Sequence, residues 1–73
     1  MKKIYMMEDL DCANCAAKME EAISKIEGVT SARVSYLAQK LILEADDARF
    51  DEIMAEVANT CRRIEPGCRI ILE

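Results

Sequence analysis

Apolar residues recur at spacings of three and four in two segments of the chain. The apolar positions of the first segment are Ala16, Met19, Ala22, Ile23 and Ile26. Those of the second segment are Phe50, Ile53, Met54, Val57, Cys61 and Ile64. This spacing predicts two amphipathic helices. We expect the first helix to run from Ala16 to Gly28, because glycine is common just past a helix end. We expect the second helix to follow the capping residues Asp46 and Asp47 and to end near Arg63.

Four other segments have the alternation or the composition of β-strands. They are Lys2–Asp9, Val29–Tyr36, Lys40–Ala45 and Cys68–Glu73. A hairpin across Leu37, Ala38 and Gln39 joins the second predicted strand to the third, and Pro66-Gly67 stops the second helix. The order β-α-β-β-α-β predicts one α+β domain over residues 1–73, a ferredoxin-like sandwich. In that fold a four-stranded antiparallel sheet carries both helices on one face.

Composition and charge narrow the classes of function. The chain has 73 residues, 33% of them charged, and a formal net charge of −4. These values suit a soluble globular domain, which we expect to be a monomer, and the lack of a basic cluster excludes nucleic acid as a partner. No apolar run approaches the ~20 residues of a membrane helix, so we expect no membrane insertion. The Met1-Lys2-Lys3 start does not resemble a secretory signal, which predicts a cytoplasmic location.

Two cysteines in the stretch "LDCANCAA" carry the candidate chemistry. Cys12 and Cys15 fall where the first strand gives way to the first helix. Helix N-terminal amides and the helix dipole stabilise thiolates, and this spacing lets both sulfurs converge on one point. In a reducing compartment paired cysteines indicate metal binding or redox chemistry. The chain contains no histidine, and no serine or lysine has an obvious activating base, so we expect no enzyme activity of this chain alone.

Asp11 affects which metal ion the pair would accept. Two thiolates alone favour Cu(I), whereas an added carboxylate oxygen suits a borderline divalent ion such as Zn(II), Cd(II) or Pb(II). Two sulfurs and one oxygen leave a coordination position open, which is typical of a transfer site more than of a structural zinc site. Asp11 also has a second interpretation, as a helix-capping carboxylate. We favour ligation.

The sequence resembles the heavy-metal-associated domain over nearly its whole length. The resemblance lies in the segments "LDCANCAAKMEEAISKIEGV", "SARVSYLAQKLIL" and "IEPG". Copper-binding members of that family usually carry Gly-Met-Thr or Gly-Met-Ser before the first cysteine. The Asp9-Leu10-Asp11 of this chain is more similar to the branch of zinc-, cadmium- and lead-transporting P-type ATPases. Asp9 stands where the family has glycine, so we expect Asp9 to hold a backbone angle that glycine adopts more easily.

The resemblance implies metal binding and transfer. It predicts that Cys12, Cys15 and Asp11 bind one Zn(II), Cd(II) or Pb(II) ion and pass it on by ligand exchange. The partners would be other domains of a metal-transporting ATPase, of which this is the N-terminal domain, or a metal donor or acceptor protein. The alternative is a free-standing metallochaperone, including one for Cu(I). A thiol-disulfide oxidoreductase is less favoured, because the chain lacks the length and the Trp-Cys-Gly-Pro type motif of thioredoxin-like folds.

The remaining candidate ligands follow the second predicted helix. In a ferredoxin-like layout the loop after that helix lies beside the first loop, so Glu65 or Cys68 could approach the ion. Cys61 shares the apolar face of the helix, which predicts a buried thiol. A zinc site built from all four cysteines is disfavoured, because Cys61 would have to leave that face. A disulfide between Cys61 and Cys68 is expected only under oxidation.

Overall fold

The computed structural model describes residues 1–71 and confirms the predicted order of elements. These elements are β1 (Lys2–Glu8), α1 (Ala13–Ser24), β2 (Val29–Ser35), β3 (Lys40–Ala45), a short 3-10 turn (Asp47–Arg49), α2 (Phe50–Ile64) and β4 (Arg69–Ile71). The predicted strand from Cys68 to Glu73 extends beyond the described residues. Within residues 1–71 neither helix has the length and the apolar run needed to cross a lipid bilayer.

The four strands form one antiparallel sheet in the order β2-β3-β1-β4. β1 is central and pairs with β3 and β4, from Lys2 opposite Glu44 at one end to Glu8 opposite Arg69 at the other. β1 ends where β4 begins, so the segment that follows β1 lies beside the segment that precedes β4. This register places two loops distant in sequence at the same end of the sheet.

The apolar core lies between the sheet and the two helices. Tyr5 and Met7 of β1 are buried, whereas Ile4 and Met6 between them are 60% and 48% exposed. The buried residues of the helices are Ala16, Met19, Ile23, Phe50, Ile53, Met54, Val57, Thr60 and Cys61. Because successive strand residues point to opposite faces, one face of the sheet carries both helices and the other is open. This arrangement confirms the predicted ferredoxin-like sandwich.

The helix boundaries differ from the predicted ones at both ends of α1. α1 begins at Ala13, before the predicted Ala16, because Cys12 serves as its N-cap. It ends at Ser24, and Gly28, with φ 96°, lies in the turn that leads into β2. Apolar periodicity does not reveal these ends, since caps and turns decide where a helix stops.

The start of the second helix also differs from the prediction. Asp46 accepts a hydrogen bond from the Ala48 N–H at 3.1 Å and so caps the 3-10 turn. α2 begins only after this turn, at Phe50, and ends at Ile64. The aspartate therefore caps a short preceding turn, and α2 itself has no side-chain cap at its N-cap residue Arg49.

Candidate metal centre

The loop between β1 and α1 begins with an unusual backbone angle. Asp9 has φ 62°, in the left-handed region, as expected for a residue that replaces the family's glycine. The next residue, Leu10, is 1% exposed and belongs to the core. The turn at Asp9 and the buried Leu10 side chain together direct the chain toward the start of α1.

The structure brings Cys12 and Cys15 together at the N-terminus of α1. Cys12 has extended backbone angles, and its Sγ accepts a hydrogen bond from the Cys15 N–H at 3.2 Å. The Cys12 carbonyl oxygen accepts the first helical bond from the Ala16 N–H at 3.1 Å. Both thiols are partly exposed. As predicted from their spacing, one sulfur lies in the loop and the other in the first helical turn.

The pKa values of these two thiols are displaced in opposite directions. A side-chain hydrogen bond with Cys15, assisted by backbone N–H groups, lowers the pKa of Cys12. The same hydrogen bond, together with desolvation and the nearby negative charges, raises the pKa of Cys15 to about 11. Cys12 is therefore the first of the pair to become a thiolate.

Asp11 is exposed beside this pair and does not cap the helix. Cys12 takes the capping position, so the alternative role that the sequence allowed for Asp11 is filled by another residue. In the part of the chain that the structure describes, the Asp11 carboxylate makes no hydrogen bond or ion pair. No group of three or more histidine, cysteine, aspartate or glutamate side chains within residues 1–71 is close enough to hold a metal ion. The predicted Asp11–Cys12–Cys15 set is thus only partly assembled.

Glu65 reaches the site from the other loop. Its Oε2 lies 3.9 Å from the Cys15 Sγ, in a contact across 50 residues of sequence. Glu65 also follows α2 directly as its C-cap residue, and its backbone oxygen accepts a hydrogen bond from the Cys68 N–H at 3.1 Å. The register of β1 and β4 therefore places a carboxylate next to one of the two candidate ligands.

Cys61 and Cys68 are buried, with 2% and 6% of their surface exposed. Burial raises the pKa of Cys61 to about 11, and the Cys68 charge acts in the same direction. Burial also raises the pKa of Cys68, as do the carboxylates of Glu65, Asp9 and Asp11. Both cysteines are free thiols. Cys61 occupies the core position predicted for it, and Cys68 lies among the acidic residues of the two loops.

Gln39 contacts the β1–α1 loop at Leu10, although the sequence assigned it only to a turn. Its side-chain Oε1 accepts a hydrogen bond from the Leu10 N–H at 3.1 Å, and its Nε2 donates to the Leu10 carbonyl oxygen at 2.6 Å. The two residues are 29 positions apart. No local pattern around Gln39 indicates this contact, because it depends on how the hairpin lies against the loop.

Most of the chain matches a known protein family. A sequence model of the heavy-metal-associated domain matches residues 4–63. The chain belongs to the heavy-metal-associated domain family. This domain is a heavy-metal-binding domain, and the matched range contains the β1–α1 loop with Cys12 and Cys15 but ends before Glu65 and Cys68.

Relatives of this heavy-metal-associated domain include transporters and a chaperone. The cadmium, zinc and cobalt-transporting ATPase of Bacillus subtilis (strain 168) is 30% identical over 66 residues, which are 90% of this chain and 9% of the ATPase. The copper chaperone CopZ of Enterococcus hirae is 28% identical over 64 residues, which are 88% of this chain and 86% of the chaperone. This chain therefore spans less than a tenth of the ATPase and most of the chaperone.

A solved structure of a related domain has the same fold. The solution structure of the N-terminal domain of ZntA in the Zn(II)-form aligns with a TM-score of 0.73 at 27% identity. The alignment covers 96% of this chain and 88% of that domain. That domain and this chain therefore share one fold.

Proposed function

We propose that this domain binds one divalent soft or borderline ion, Zn(II), Cd(II) or Pb(II), and transfers it to a partner. The observation that carries the proposal is the convergence of the Cys12 and Cys15 thiols at the N-terminus of α1, where the pKa of Cys12 is lowered. Thiolates are the form of cysteine that binds metal ions. In this proposal both sulfurs are ligands.

Nearby carboxylates support the choice of a divalent ion. Asp11 is exposed next to Cys12 and is not used as a helix cap, so its oxygens are free to approach an ion held by the sulfurs. Glu65 lies 3.9 Å from Cys15 and could supply a further oxygen. A mixed set of sulfur and oxygen ligands suits Zn(II) and its heavier analogues better than Cu(I). Asp11 is the third ligand in this proposal, and Glu65 an additional one.

The proposed role is that of the N-terminal metal-binding domain of a metal-exporting P-type ATPase. It is supported by the 30% identity to the Bacillus subtilis transporter named for cadmium, zinc and cobalt. The ion would move by ligand exchange, in which a thiolate or carboxylate of the partner binds before a ligand of this domain leaves. Exchange of this kind can be fast although equilibrium binding is tight, because no step releases a free ion.

A free-standing metallochaperone, including one for Cu(I), is the second candidate. The 28% identity to the Enterococcus hirae copper chaperone, over 86% of that protein, favours it. Under this alternative Cys12 and Cys15 suffice as ligands, since two thiolates match the low coordination number of Cu(I). The carboxylate of Asp11 would then have no part in binding.

Competitive metal titration of the reduced protein tests the proposal. Wild type, Asp11→Asn and Asp11→Ala would be titrated with Zn(II), Cd(II), Pb(II) and Cu(I) against chelators of known affinity. We expect both variants to lose at least about tenfold in affinity for the divalent ions, with Cu(I) affinity nearly unchanged. Glu44→Gln serves as a charge-matched control, because Glu44 lies opposite Lys2 at the far end of β1.

Three other results would point elsewhere. Tight Cu(I) binding combined with weak divalent binding that is indifferent to Asp11 would favour the copper chaperone. Unchanged binding in a Cys12→Ser, Cys15→Ser double variant would remove the sulfurs from the site. Turnover of a disulfide substrate without any metal binding would support an oxidoreductase.

A further inference from the structure

Gln39 forms a two-point contact with the main chain just before the candidate metal ligands. The Leu10 N–H donates to Gln39 Oε1 at 3.1 Å, and Gln39 Nε2 donates to the Leu10 carbonyl oxygen at 2.6 Å. The same Nε2 donates to the Tyr36 carbonyl oxygen at 2.8 Å. The backbone of Gln39 is tied down as well, because its carbonyl oxygen accepts from the Met7 N–H at 2.8 Å. The carboxamide is thus held by the hairpin and in turn holds Leu10.

This contact restricts the segment that leads to the ligands. Leu10 precedes Asp11 and Cys12 directly. Its side chain is 1% exposed in the core, and both its N–H and its carbonyl oxygen are occupied by Gln39. The peptide groups on both sides of Leu10 are therefore held in orientation. The remaining freedom of the loop lies at Asp11, between the fixed Leu10 and the helix cap at Cys12.

We propose that Gln39 is a positioning residue for the metal site. By holding the Leu10 backbone it keeps Asp11 and Cys12 in place relative to Cys15, so that less conformational freedom is lost when an ion binds. This inference rests on the proposed metal-binding function, and it concerns a residue outside the C-x-x-C loop. Gln39 acts through the loop and is not itself a ligand.

The chemistry of the contact requires a glutamine-length carboxamide. Leu10 offers one donor and one acceptor, and a carboxamide supplies the complementary acceptor and donor. A carboxylate at the same position could accept from the Leu10 N–H but could not donate to the carbonyl oxygen. Gln39 is held here despite a backbone φ of 53°, which residues other than glycine, asparagine and aspartate seldom adopt.

The Gln39→Gly variant separates positioning from general stability. Glycine accepts the positive φ without strain, so the melting temperature should stay close to that of the wild type while the side-chain contact is lost. We expect Cd(II) affinity to fall about tenfold, the lower end of the usual effect of residues outside the ligand set. The Leu10 amide hydrogen should exchange faster in the metal-free protein. Ser35→Ala is the matched control, because Ser35 accepts from the Ala38 N–H in the same hairpin at 3.1 Å without touching Leu10.

A second variant, Gln39→Glu, keeps an acceptor but replaces the amide donor with a negatively charged oxygen. It should also weaken Cd(II) binding and speed exchange of the Leu10 amide at neutral pH, because a carboxylate oxygen would face the Leu10 carbonyl oxygen. If both variants bind Cd(II) as tightly as the Ser35→Ala control, the positioning role is wrong even though the domain binds metal. If the wild type itself binds none of Zn(II), Cd(II) and Pb(II), the proposed function is overturned and the positioning role falls with it, whatever the exchange rate of the Leu10 amide.

Discussion

Asp9, in the β1–α1 loop, and Gln39, in the turn before β3, have left-handed backbone conformations. Their φ angles are 62° and 53°. Left-handed angles cost roughly 1–2 kcal/mol for most residues and less for aspartate, whose short side chain forms local hydrogen bonds. Three hydrogen bonds of the Gln39 side chain, to Leu10 and Tyr36, offset part of this cost. Backbone strain is thus located next to the candidate ligands, as is common at binding sites.

The two thiols of the candidate site differ in how easily they lose a proton. The pKa of Cys12 is lowered, mainly by its hydrogen bond from Cys15, while the pKa of Cys15 is raised to about 11 by the same bond. Around neutral pH, binding of an ion through both sulfurs must therefore release the Cys15 proton. The Glu65 carboxylate raises the pKa of both thiols and so helps to keep Cys15 protonated before an ion binds.

Replacing Glu65 separates its charge from its possible role as a ligand. In Glu65→Gln the negative charge beside Cys15 disappears, so the pKa of Cys15 should fall below its wild-type value of about 11. If the Glu65 oxygen also binds the ion, Cd(II) affinity should fall about tenfold although the thiol deprotonates more easily. Thiolate absorbance as a function of pH and a Cd(II) competition titration measure the two effects.

The control for this experiment is Glu56→Gln, which removes an exposed charge from α2 nine residues before Glu65. It should leave both measurements unchanged. A Glu65→Gln protein with wild-type Cd(II) affinity and an unchanged metal-thiolate absorption band would contradict ligation by Glu65.

Helix α1 depends on a candidate ligand for its start. The Cys12 sulfur accepts from the Cys15 N–H, a place usually taken by the oxygen of serine, threonine, asparagine or aspartate. The same sulfur therefore caps the start of the helix and is a candidate metal ligand. Serine at this position would keep a capping oxygen while removing the thiolate, which makes Cys12→Ser a better binding control than Cys12→Ala.

The turn between α1 and β2 depends on Gly28. Gly28 has φ 96°, and a Cβ added there would lie 2.7 Å from the Ile53 Cδ1 of α2. We expect Gly28→Ala to lower the free energy of unfolding by about 2 kcal/mol, from the backbone angle together with this close contact. Urea denaturation of the metal-free protein measures the change.

Ile53→Val provides the matched comparison, because it removes the Cδ1 atom that the new Cβ would meet. Ile53→Val alone should cost about 1 kcal/mol. The double variant should lose less stability than the sum of the two single changes, since the contact between Gly28→Ala and Ile53 is relieved. Full additivity would mean that the backbone angle alone accounts for the effect of Gly28→Ala.

The sheet topology assembles the site from three distant parts of the chain. β1 lies between β3 and β4, so the loop after β1 is flanked by the hairpin turn before β3 and by the segment between α2 and β4. Gln39 contacts the loop from the first side and Glu65 from the second. Folding and site formation are therefore linked in this domain, and an ion bound at the site should stabilise the fold.

Metal binding should raise the thermal stability of the domain. A domain of 73 residues buries only about 60% of its unfolded surface, which makes its stability marginal. At a free Cd(II) concentration 100 times the dissociation constant, binding adds about 2.7 kcal/mol. That corresponds to a rise in melting temperature of about 10–20 °C for a small domain. Binding of Cd(II) to cysteines of the unfolded chain makes this rise smaller. Thermal denaturation by circular dichroism with and without Cd(II) measures it.

The Cys12→Ser, Cys15→Ser double variant is the reference for this measurement. It should melt at the same temperature with and without Cd(II), because Cys61 and Cys68 are buried, with 2% and 6% of their surface exposed. An equal rise in the double variant would mean that the stabilising ion binds away from the two exposed cysteines.

Local patterns along the chain were enough to predict the elements and the centre of the site. Apolar periodicity located both helices, and alternation or composition located the strands, so their order predicted the ferredoxin-like fold. The spacing of Cys12 and Cys15 placed one thiol in the loop and one in the first turn of α1. The substitution of Asp9 for glycine correctly predicted a left-handed residue. Each of these inferences depends on residues close together in sequence.

Only the tertiary structure decided what surrounds the two thiols. Glu65 meets Cys15 across 50 residues, and Gln39 meets Leu10 across 29. It also decided that Cys12, and not Asp11, caps α1, which leaves the Asp11 carboxylate exposed. The physical reason is that a hydrogen bond forms only over about 3 Å and at a favourable angle, whereas apolar burial tolerates many arrangements. Apolar spacing therefore reveals the fold from the sequence, while contacts between distant polar groups appear only once the sheet register is set.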